Sequence, residues 1–331
     1  MTSGEILLLS SRDVRKLLTL DECIGAVERA FRFHGEGRAA APGVLSMHTQ
    51  DGGFHVKAGF LNLERAYFAA KVNGNYPHNG DRFGLPTIQG VVVLSDAANG
   101  TPLAVMDSRE ITSLRTAAAT SVAAKYLARR DSRTATICGC GNQGRVQLKA
   151  VSRVCELRAV FACDASRERA SRFAHEMTAE LGIPVTAVAD LTSAALQSDI
   201  CVTCTPSQQP LLGPDQIRAG SFIAAVGADS PGKQEIHPAL MAKCKIVCDI
   251  VDQCAVMGDL HHALEAGAVS RAHVHAELGE VVAGKKAGRE REEEITMFDS
   301  TGMALQDVAA AAFLYEKAQR NGSGVRLNFA A

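Results

Sequence analysis

The segment TATICGCGNQGRVQLKAV, residues 134–151, contains three glycines with the spacing Gly-x-Gly-x-x-Gly. Small and β-branched residues precede Gly139, and apolar residues at helical spacing follow Gly144, so the pattern predicts a strand, a tight turn and a helix. In that arrangement a pyrophosphate binds at the helix N-terminus, and glycines let the backbone approach it closely. The segment therefore predicts a dinucleotide site at Gly139, Gly141 and Gly144, with an ordinary glycine turn as the alternative.

An acidic residue downstream bears on which dinucleotide binds. Asp164 ends the segment RAVFACD, 25 residues after Gly139, where a second strand should end. Its carboxylate would accept hydrogen bonds from a ribose 2′-hydroxyl and repel a 2′-phosphate, which favours NAD over NADP. A guanidinium at Arg167 would instead accommodate a phosphate, so NADP stays possible.

Three charged residues stand in otherwise apolar surroundings. Lys71 lies in YFAAKVNGN, Arg115 near a helix start in EITSLRTAAAT, and Asp229 just after FIAAVGA. Each has an ordinary alternative: a snorkelling surface lysine, an ion-pair partner, and a helix N-cap before Pro231. Together they predict a site that holds a carboxylate, moves protons at nitrogen and adjoins a nicotinamide.

The elements that position these residues begin with a sheet. Residues 41–107 form short alternating or apolar runs broken by Gly, Asn and Pro. This pattern predicts an antiparallel or mixed sheet, with turns at Asn73-Gly74 and Asn99-Gly100.

Strands and helices alternate in the second part of the chain. Such alternation predicts crossover connections and a doubly wound parallel sheet. A capping box at Thr19 and Glu22 predicts an early helix over 19–34, and a last helix, DVAAAAFLYEKAQR, is expected to return to the first domain. The fold class is therefore α/β, a Rossmann-type domain plus a mixed or antiparallel sheet domain. The predicted strands are 134–139, 158–163, 184–188, 200–205, 221–226 and 245–250, and the helices between them are 143–156 and 166–181.

Composition excludes several classes of partner. The chain has 331 residues with 47% apolar content, and 35 Lys and Arg against 36 Asp and Glu. With no basic stripe, neither nucleic acid nor an anionic membrane is expected as a partner. The N-terminal sequence does not resemble a signal peptide, and no apolar segment reaches 18 residues, so a cytoplasmic protein is expected.

The cysteines and histidines do not form a metal motif. Nine of the ten cysteines lie between residues 138 and 254, mostly in apolar runs, which favours buried free thiols in a reducing compartment. Cys201 and Cys204 are three apart in a predicted strand, so their side chains would point to opposite faces. No metal is therefore predicted. His261, His262, His273 and His275 are likewise predicted to be solvated or structural side chains, since adjacent residues on a helix point in different directions.

Four segments, in order, resemble the ornithine cyclodeaminase/μ-crystallin family. They are LPTIQGVVVLSDAANGTPLAVMDSREITSLRTAAATSVAAKYLARRD, GCGNQG, VGADSPGKQEI and FDSTGMALQD, and the likeness runs over about residues 20–320. The resemblance implies a substrate-binding and dimerisation domain made from both chain ends, at 1–128 and 305–331. It implies an NAD-binding Rossmann domain at 129–304 and a homodimer.

The resemblance also implies roles for single residues. Lys71 matches a lysine that contacts substrate and transfers protons, Arg115 an arginine that holds the substrate carboxylate, and Asp229 a catalytic aspartate. Thr301 matches a substrate contact. With Arg167 and the glycine segment included, the expected cofactor-binding residues are Thr87, Gly139, Gly141, Asn142, Gln143, Gly144, Asp164, Arg167, Thr205, Val226, Gly227, Lys233 and Ser300.

The chain departs from the family pattern in the substrate region. Many members carry an arginine directly after an early proline, where this chain has Gly43 in AAPGVLSMH. Where members often read Met-Pro-Ala-Tyr, this chain has VKAGF, which brings in Lys57. Lys57 is either a replacement for the missing positive charge or an edge-strand lysine in solvent. The change argues against ornithine as the substrate.

The predicted reaction is hydride transfer between a nicotinamide and the Cα of a 2-amino or 2-imino acid, with the carboxylate on Arg115. Lys71 and Asp229 would manage the protons. A ketimine or cyclic imine reductase, or an amino acid dehydrogenase, is the first hypothesis. A cyclodeaminase that releases ammonia is the second, and a non-catalytic μ-crystallin-like binding protein is the third.

Overall fold

The computed structural model describes residues 4–39 and 42–328, and the chain forms two compact units. Unit 1 consists of the described parts of Met1–Arg115 and Met303–Ala331, and unit 2 is Thr116–Gly302. The predicted limits at residues 1 and 331 lie outside the described residues. The chain first passes from unit 1 to unit 2 after Arg115, inside a helix that contains neither Gly nor Pro. The resemblance implied a domain boundary after residue 128.

The elements follow the chain in three stretches. The first contains β1 (Glu5–Leu9), α1 (Ser11–Leu17), α2 (Leu20–Gly35), β2 (Gly43–Thr49), β3 (Gly52–Asn62), β4 (Ala66–Asn75), α3 (Asn79–Phe83), β5 (Ile88–Asp96), β6 (Pro102–Asp107) and α4 (Ser108–Leu127). The second contains β7 (Thr134–Cys138), α5 (Asn142–Val151), β8 (Ala159–Cys163), α6 (Arg167–Leu181), β9 (Val185–Val188), α7 (Leu191–Leu196), β10 (Ile200–Thr203), β11 (Gln208–Leu212), β12 (Phe222–Ala225), β13 (Gln234–Ile236), α8 (Pro238–Met241), β14 (Lys245–Cys248), α9 (Val251–Met257), α10 (Asp259–Glu265), β15 (Val274–Glu277), α11 (Leu278–Val282) and β16 (Thr296–Asp299). The third contains α12 (Ala304–Asn321) and β17 (Val325–Asn328).

Unit 1 is built on a mixed sheet with the order β17-β1-β6-β5-β4-β3-β2. β1 and β6 are parallel, and the other neighbours are antiparallel. Helix α12 packs against α2 and against β3 and β4. The contact is close because Gly59 has no side chain: a Cβ there would lie 3.2 Å from the Ala304 Cβ. The predicted return of the last helix is therefore seen, and it covers one face of the sheet.

The opposite face of this sheet is apolar and accessible. Alternation places every second side chain of β2 to β5 on that face. Its larger apolar side chains keep between 37% and 55% of their surface exposed. They are Leu45, Met47, Phe54, Phe68, Val72 and Val91, and we call them the outer apolar face.

Unit 2 contains a parallel sheet with the order β15-β14-β16-β12-β10-β7-β8-β9, and a small sheet of β11 and β13. After β7 the chain first adds β8 and β9 on one side and then returns to add β10 on the other. The strand order therefore reverses at β7, and ligands of open parallel sheets bind at the carboxyl ends of strands at such a point. The α/β fold class is confirmed. No helix in the described parts of the chain is both long and apolar enough to cross a membrane.

The local predictions had mixed outcomes. The capping box is present, because the Thr19 hydroxyl accepts from the Glu22 amide and the Glu22 carboxylate accepts from the Thr19 amide. The turn before Gly100 is also present, and this glycine has a φ of +77°. The predicted turn at Asn73-Gly74 is wrong, since both residues lie inside β4. Asn73 instead uses its side-chain oxygen to accept a bond from the buried Ser108 hydroxyl.

Candidate active site

Unit 1 contains a buried cluster of charged side chains. Lys57 on β3 and Lys71 on β4 are direct register partners, and they are 8% and 3% exposed. The Lys71 ammonium nitrogen lies 3.1 Å from Oδ1 and 2.9 Å from Oδ2 of Asp307 on α12. Arg115 donates from Nε to Asp307 Oδ1 over 3.1 Å and from Nη1 to Gln306 Oε1 over 2.8 Å. The structure thus brings together three predicted residues, Lys57, Lys71 and Arg115, and adds two that the sequence analysis missed.

Burial changes the acid–base properties of this cluster. The loss of hydration, reinforced by the positive charge of Arg115, lowers the pKa of Lys71 to about 7, with Asp307 opposing the change. Burial alone would raise the pKa of Asp307, but Arg115 and Lys71 more than offset it, so its pKa is lowered. Asp307 is therefore a permanent anion, while Lys71 can give or take a proton near neutral pH.

The cluster is rich in basic side chains. Lys57, Lys71 and Arg115 are basic, and Asp307 is the carboxylate that accepts from Lys71 and Arg115. A guanidinium forms parallel hydrogen bonds with a carboxylate, and an ammonium attracts one as a point charge. The cluster therefore has the side chains to bind a small carboxylic acid.

Unit 2 contains the glycine turn in the predicted form. Gly139 has a φ of +103°, a left-handed conformation that side chains rarely adopt, and a Cβ at Gly144 would lie 2.0 Å from the Gly139 carbonyl oxygen. Helix α5 begins at Asn142, directly after Gly141. The side-chain nitrogen of Gln143 is buried without a hydrogen-bond partner among the described residues. A phosphate oxygen is a suitable acceptor for it, so the turn fits a pyrophosphate.

Asp164 lies beside this turn. Its Oδ2 accepts a bond of 2.8 Å from the Cys140 amide, and its Oδ1 accepts from the Ser166 amide at 2.9 Å. Asp164 also borders a cavity of about 530 Å³, which we call the nucleotide cavity. Arg169 borders it too and lies 3.4 Å from Asp164 Oδ1, whereas the predicted Arg167 is not among its lining residues. The lining residues are Cys138, Gly139, Gly141, Cys163, Asp164, Ala165, Arg169, Ala189, Leu191, Cys204, Thr205, Pro206, Ser207 and Leu211.

Thr205 is positioned by a glutamate that the sequence analysis did not single out. Glu235 Oε1 accepts bonds from the Thr205 amide at 2.6 Å and from its hydroxyl at 2.7 Å, and Oε2 accepts from the Gly227 amide at 2.9 Å. Burial and the nearby charge of Asp259 raise the pKa of Glu235 to about 7. Two predicted cofactor-binding positions are therefore held together by one fully buried carboxyl group.

Asp229 follows β12 at the carboxyl edge of the parallel sheet. It is half-exposed, and its Oδ1 lies 2.6 Å from the ammonium of Lys233. Val226, in the same segment, donates its amide to the Thr203 carbonyl at 3.0 Å. The structure thus pairs the predicted catalytic aspartate with a predicted cofactor-binding lysine.

Ser300 and Thr301 are held by a buried aspartate. Asp249 accepts from the hydroxyls of both residues at 3.2 Å and from the Gly302 amide at 2.5 Å. The Thr301 hydroxyl also accepts from the Gln253 amide group. Of the other predicted residues, Thr87 belongs to unit 1, where its carbonyl accepts from the Tyr76 amide.

Two histidines for which no metal was predicted have a possible metal-binding geometry with a nearby glutamate. His261, His262 and Glu265 have donor atoms within 4.8 Å of one another on α10. His262 Nε2 already lies 2.8 Å from the Lys233 carbonyl oxygen, and His261 lies 3.4 Å from Glu265. The absence of a metal stays a prediction.

Three solved structures resemble this chain over nearly its whole length. An archaeal alanine dehydrogenase dimer with bound NAD matches with a TM-score of 0.93 and 39% identity, over 98% of this chain and 99% of that one. The Δ1-pyrroline-2-carboxylate reductase of Thermococcus litoralis, solved with NADH and L-proline, matches with a TM-score of 0.92 and 36% identity, over 97% of this chain and 99% of that one. The iminosuccinate reductase of Paracoccus denitrificans, solved with NAD+, matches with a TM-score of 0.90 and 32% identity, over 98% of this chain and 99% of that one.

The sequence profile of the ornithine cyclodeaminase/mu-crystallin family matches residues 5–322. The prediction of NAD agrees with the three structures, which hold NAD+, NADH or NAD. On the strength of the profile and of relatives similar over nearly their whole length, this chain belongs to the ornithine cyclodeaminase/mu-crystallin family.

Proposed function

We propose that this protein is an NAD-dependent oxidoreductase that acts on the CH–NH or C=N bond of a small 2-amino or 2-imino acid. The observation that carries the proposal is the buried cluster of Lys57, Lys71, Arg115 and Asp307, which places an arginine beside a lysine with a pKa of about 7. Relatives that are named alanine dehydrogenase, pyrroline-carboxylate reductase and iminosuccinate reductase support it.

Each charged side chain has a part in this proposal. The planar guanidinium of Arg115, fixed by Asp307 and Gln306, binds the substrate carboxylate through parallel hydrogen bonds. Lys71 donates a proton to the substrate nitrogen in the reductive direction and accepts one in the oxidative direction. Asp229 stabilises the positive charge of a protonated imine. Bound NADH supplies the hydride for reduction, and NAD+ accepts it in the reverse direction.

Lys57 sets the substrate class in this proposal. It is the register partner of Lys71 on the buried face, and so it is not the edge-strand lysine in solvent that was the alternative. A substrate with a second anionic or polar group would be placed to use this charge. The proposal therefore favours an imino acid with two such groups over one with an apolar side chain.

A substrate panel tests the reaction. Cyclic imines, 2-oxo acids with ammonia, and ornithine or lysine are each incubated with enzyme and nicotinamide, and the nicotinamide absorbance and free ammonia are recorded. Net NADH consumption with an imine or with a 2-oxo acid supports the proposal. Ammonia release from ornithine without net change in NADH indicates a cyclodeaminase, and no turnover with NADH binding intact indicates a binding protein.

Lys71→Met separates the roles of the two units. We expect it to abolish turnover and to leave NADH binding unchanged, because Lys71 belongs to unit 1 and the glycine turn to unit 2. Loss of NADH binding in this variant would contradict the assignment of Lys71 to the substrate.

We also propose a homodimer that buries the outer apolar face against a second copy. The archaeal alanine dehydrogenase is a dimer, and contiguous exposed apolar surface of this kind marks interaction sites. Light scattering at micromolar concentration should give the mass of a dimer or a multiple of it. Val72→Glu, on this face, should give a monomer, and the control Val256→Glu on α9 should not. A monomeric native protein would refute the proposal.

A further inference from the structure

Three neighbouring strands of the parallel sheet end at cysteines. Cys138 is the last residue of β7 and Cys163 the last residue of β8, while Cys204 directly follows β10. β7 lies between the other two strands. All three cysteines are lining residues of the nucleotide cavity. This edge of the sheet therefore presents sulfur where the dinucleotide is proposed to bind.

Cys138 and Cys163 have the geometry for a disulfide. They are direct register partners on adjacent parallel strands, so their side chains point to the same face. Neighbouring strands lie about 4.8 Å apart, inside the Cα separation of about 4.4 to 6.8 Å that disulfides span. A disulfide between them needs little backbone movement.

The thiols at this edge differ in reactivity. The neighbouring Cys138 side chain lowers the pKa of Cys163 to about 7 although burial opposes the change. The same pairing, together with burial, raises the pKa of Cys138. Cys204 donates to the Cys138 and Gly139 carbonyls, and burial raises its pKa. Since the thiolate is the nucleophile, Cys163 is the thiol that reacts and Cys138 the one that resolves.

The pair is directly connected to the groups that would hold the nucleotide. Cys138 precedes Gly139, and Cys163 precedes Asp164. The Gly139 amide donates to the Cys163 carbonyl at 2.9 Å. Joining the two sulfurs would therefore act on the glycine turn and on the ribose-binding carboxylate together.

We propose that Cys138 and Cys163 form an oxidisable dithiol in the wall of the nucleotide cavity, and that a hydroperoxide converts it to a disulfide that weakens NADH binding. The Cys163 thiolate attacks a peroxide oxygen, the O–O bond breaks, and the departing hydroxide takes a proton to leave as water. The Cys138 thiolate then attacks the sulfenic sulfur, and the hydroxyl leaves as a second water when it takes the Cys138 proton. Two thiols are oxidised by two electrons, and one peroxide is reduced.

The experiment uses the full-length reduced protein and hydrogen peroxide, with and without NADH. Remaining thiols are alkylated, peptides are identified by mass spectrometry, and NADH affinity is measured by fluorescence before and after oxidation. We expect a Cys138–Cys163 disulfide, lighter by about 2 Da than the two thiols, that dithiothreitol reverses. We expect NADH to slow its formation, and the dissociation constant for NADH to rise about tenfold or more in the oxidised protein.

Three variants identify the sulfurs. Cys163→Ser should form no disulfide here, and Cys138→Ser should stop at sulfenic acid on Cys163. Cys155→Ser, a thiol that does not line the cavity, should behave as the native protein does. The inference is overturned if the first disulfide joins other cysteines, if NADH does not slow the reaction, or if oxidation leaves NADH affinity unchanged. The inference rests on the proposed cofactor; failure of the reduced protein to bind NADH would refute the proposed function, and the mass measurement would still test the dithiol.

Discussion

Asp307→Asn should shift the pH dependence of the enzyme, because Asp307 is the anion that keeps Lys71 protonated. The amide has the size of the carboxylate but lacks its charge. An opposite charge within about 4 to 6 Å changes a pKa by about 1 to 3 units, and the Lys71 nitrogen lies 2.9 Å from Asp307 Oδ2. Removing the charge should lower the Lys71 pKa from about 7 to between about 4 and 6.

The readout is kcat/KM for imine reduction as a function of pH, which reports the pKa values of the free enzyme. Reduction needs protonated Lys71, so the native rate should fall as pH rises through about 7. In the variant the fall should come about 1 to 3 pH units lower. At pH 7 the protonated fraction of Lys71 then drops roughly 5- to 500-fold, and kcat/KM should drop with it.

Gln306→Ala is the matched control. Gln306 also accepts a hydrogen bond from Arg115, but it carries no charge. Its loss should lower kcat/KM at every pH and leave the midpoint in place. If Asp307→Asn keeps the native midpoint while its kcat/KM falls uniformly, Lys71 is not the titrating acid and the reasoning fails.

The same charge sets the stability of the variant. The pKa of Lys71 in the folded protein is depressed below its ordinary value of 10.5, so its contribution to folding stability rises with pH between about 7 and 10.5. In Asp307→Asn the lower end of this window moves to between about 4 and 6, because the folded pKa falls further. Denaturant unfolding should therefore show that the variant loses stability, relative to the native protein, as pH falls below 7.

Asp164→Ala should weaken NADH binding by about 1 to 3 kcal/mol and improve the relative use of NADPH, as measured by titration of both nucleotides; NADPH as the better native cofactor would contradict this. Gly144→Ala should abolish NADH binding with the fold retained by circular dichroism, because its Cβ would lie 2.0 Å from the Gly139 carbonyl oxygen. Asp229→Asn should lower kcat by about 10² or more with little effect on NADH affinity, and near-native kcat on the best substrate would exclude the electrostatic role. Lys57→Met should reduce turnover of substrates with a second anionic group more than that of simple ones, and equal losses would remove its role in selectivity.

The proposed nucleotide site in unit 2 follows from local sequence. A glycine turn between a strand and a helix is encoded within a few residues, so Gly139, Gly144 and Asp164 could be placed from spacing alone. Arg169 could not be distinguished from Arg167 in this way, because both lie near the start of α6 and the sequence does not settle which side chain borders the cavity.

The proposed substrate site in unit 1 depends on contacts between distant parts of the chain. Asp307 lies 236 residues from Lys71, and no spacing rule connects them. The sequence feature that could have pointed to Asp307 is its position in the alanine-rich, mostly apolar stretch of α12. An unpaired charge would be costly there, so a basic partner is expected. Glu235 was missed for the same reason, since its partner Thr205 lies 30 residues away in the loop after β10. The error at Asn73-Gly74 arose because a side chain that favours turns was instead used to bond Ser108 inside the sheet.

The position of α12 after unit 2 in the chain affects how the protein is made on the ribosome. Lys71 and Arg115 are synthesised 236 and 192 residues before Asp307. Unit 2 is one continuous segment that is complete at Gly302, whereas unit 1 begins first and lacks its counter-charge until α12 emerges. Since domains fold as units during synthesis, the nascent chain can finish unit 2 while the sheet of unit 1 still lacks its covering helix. Release of the chain shortly after Gly302 would leave a foldable unit 2 attached to a sheet that lacks its covering helix, and Lys71 and Arg115 would lack the Asp307 carboxylate. Such a chain would be a substrate for chaperones and proteases.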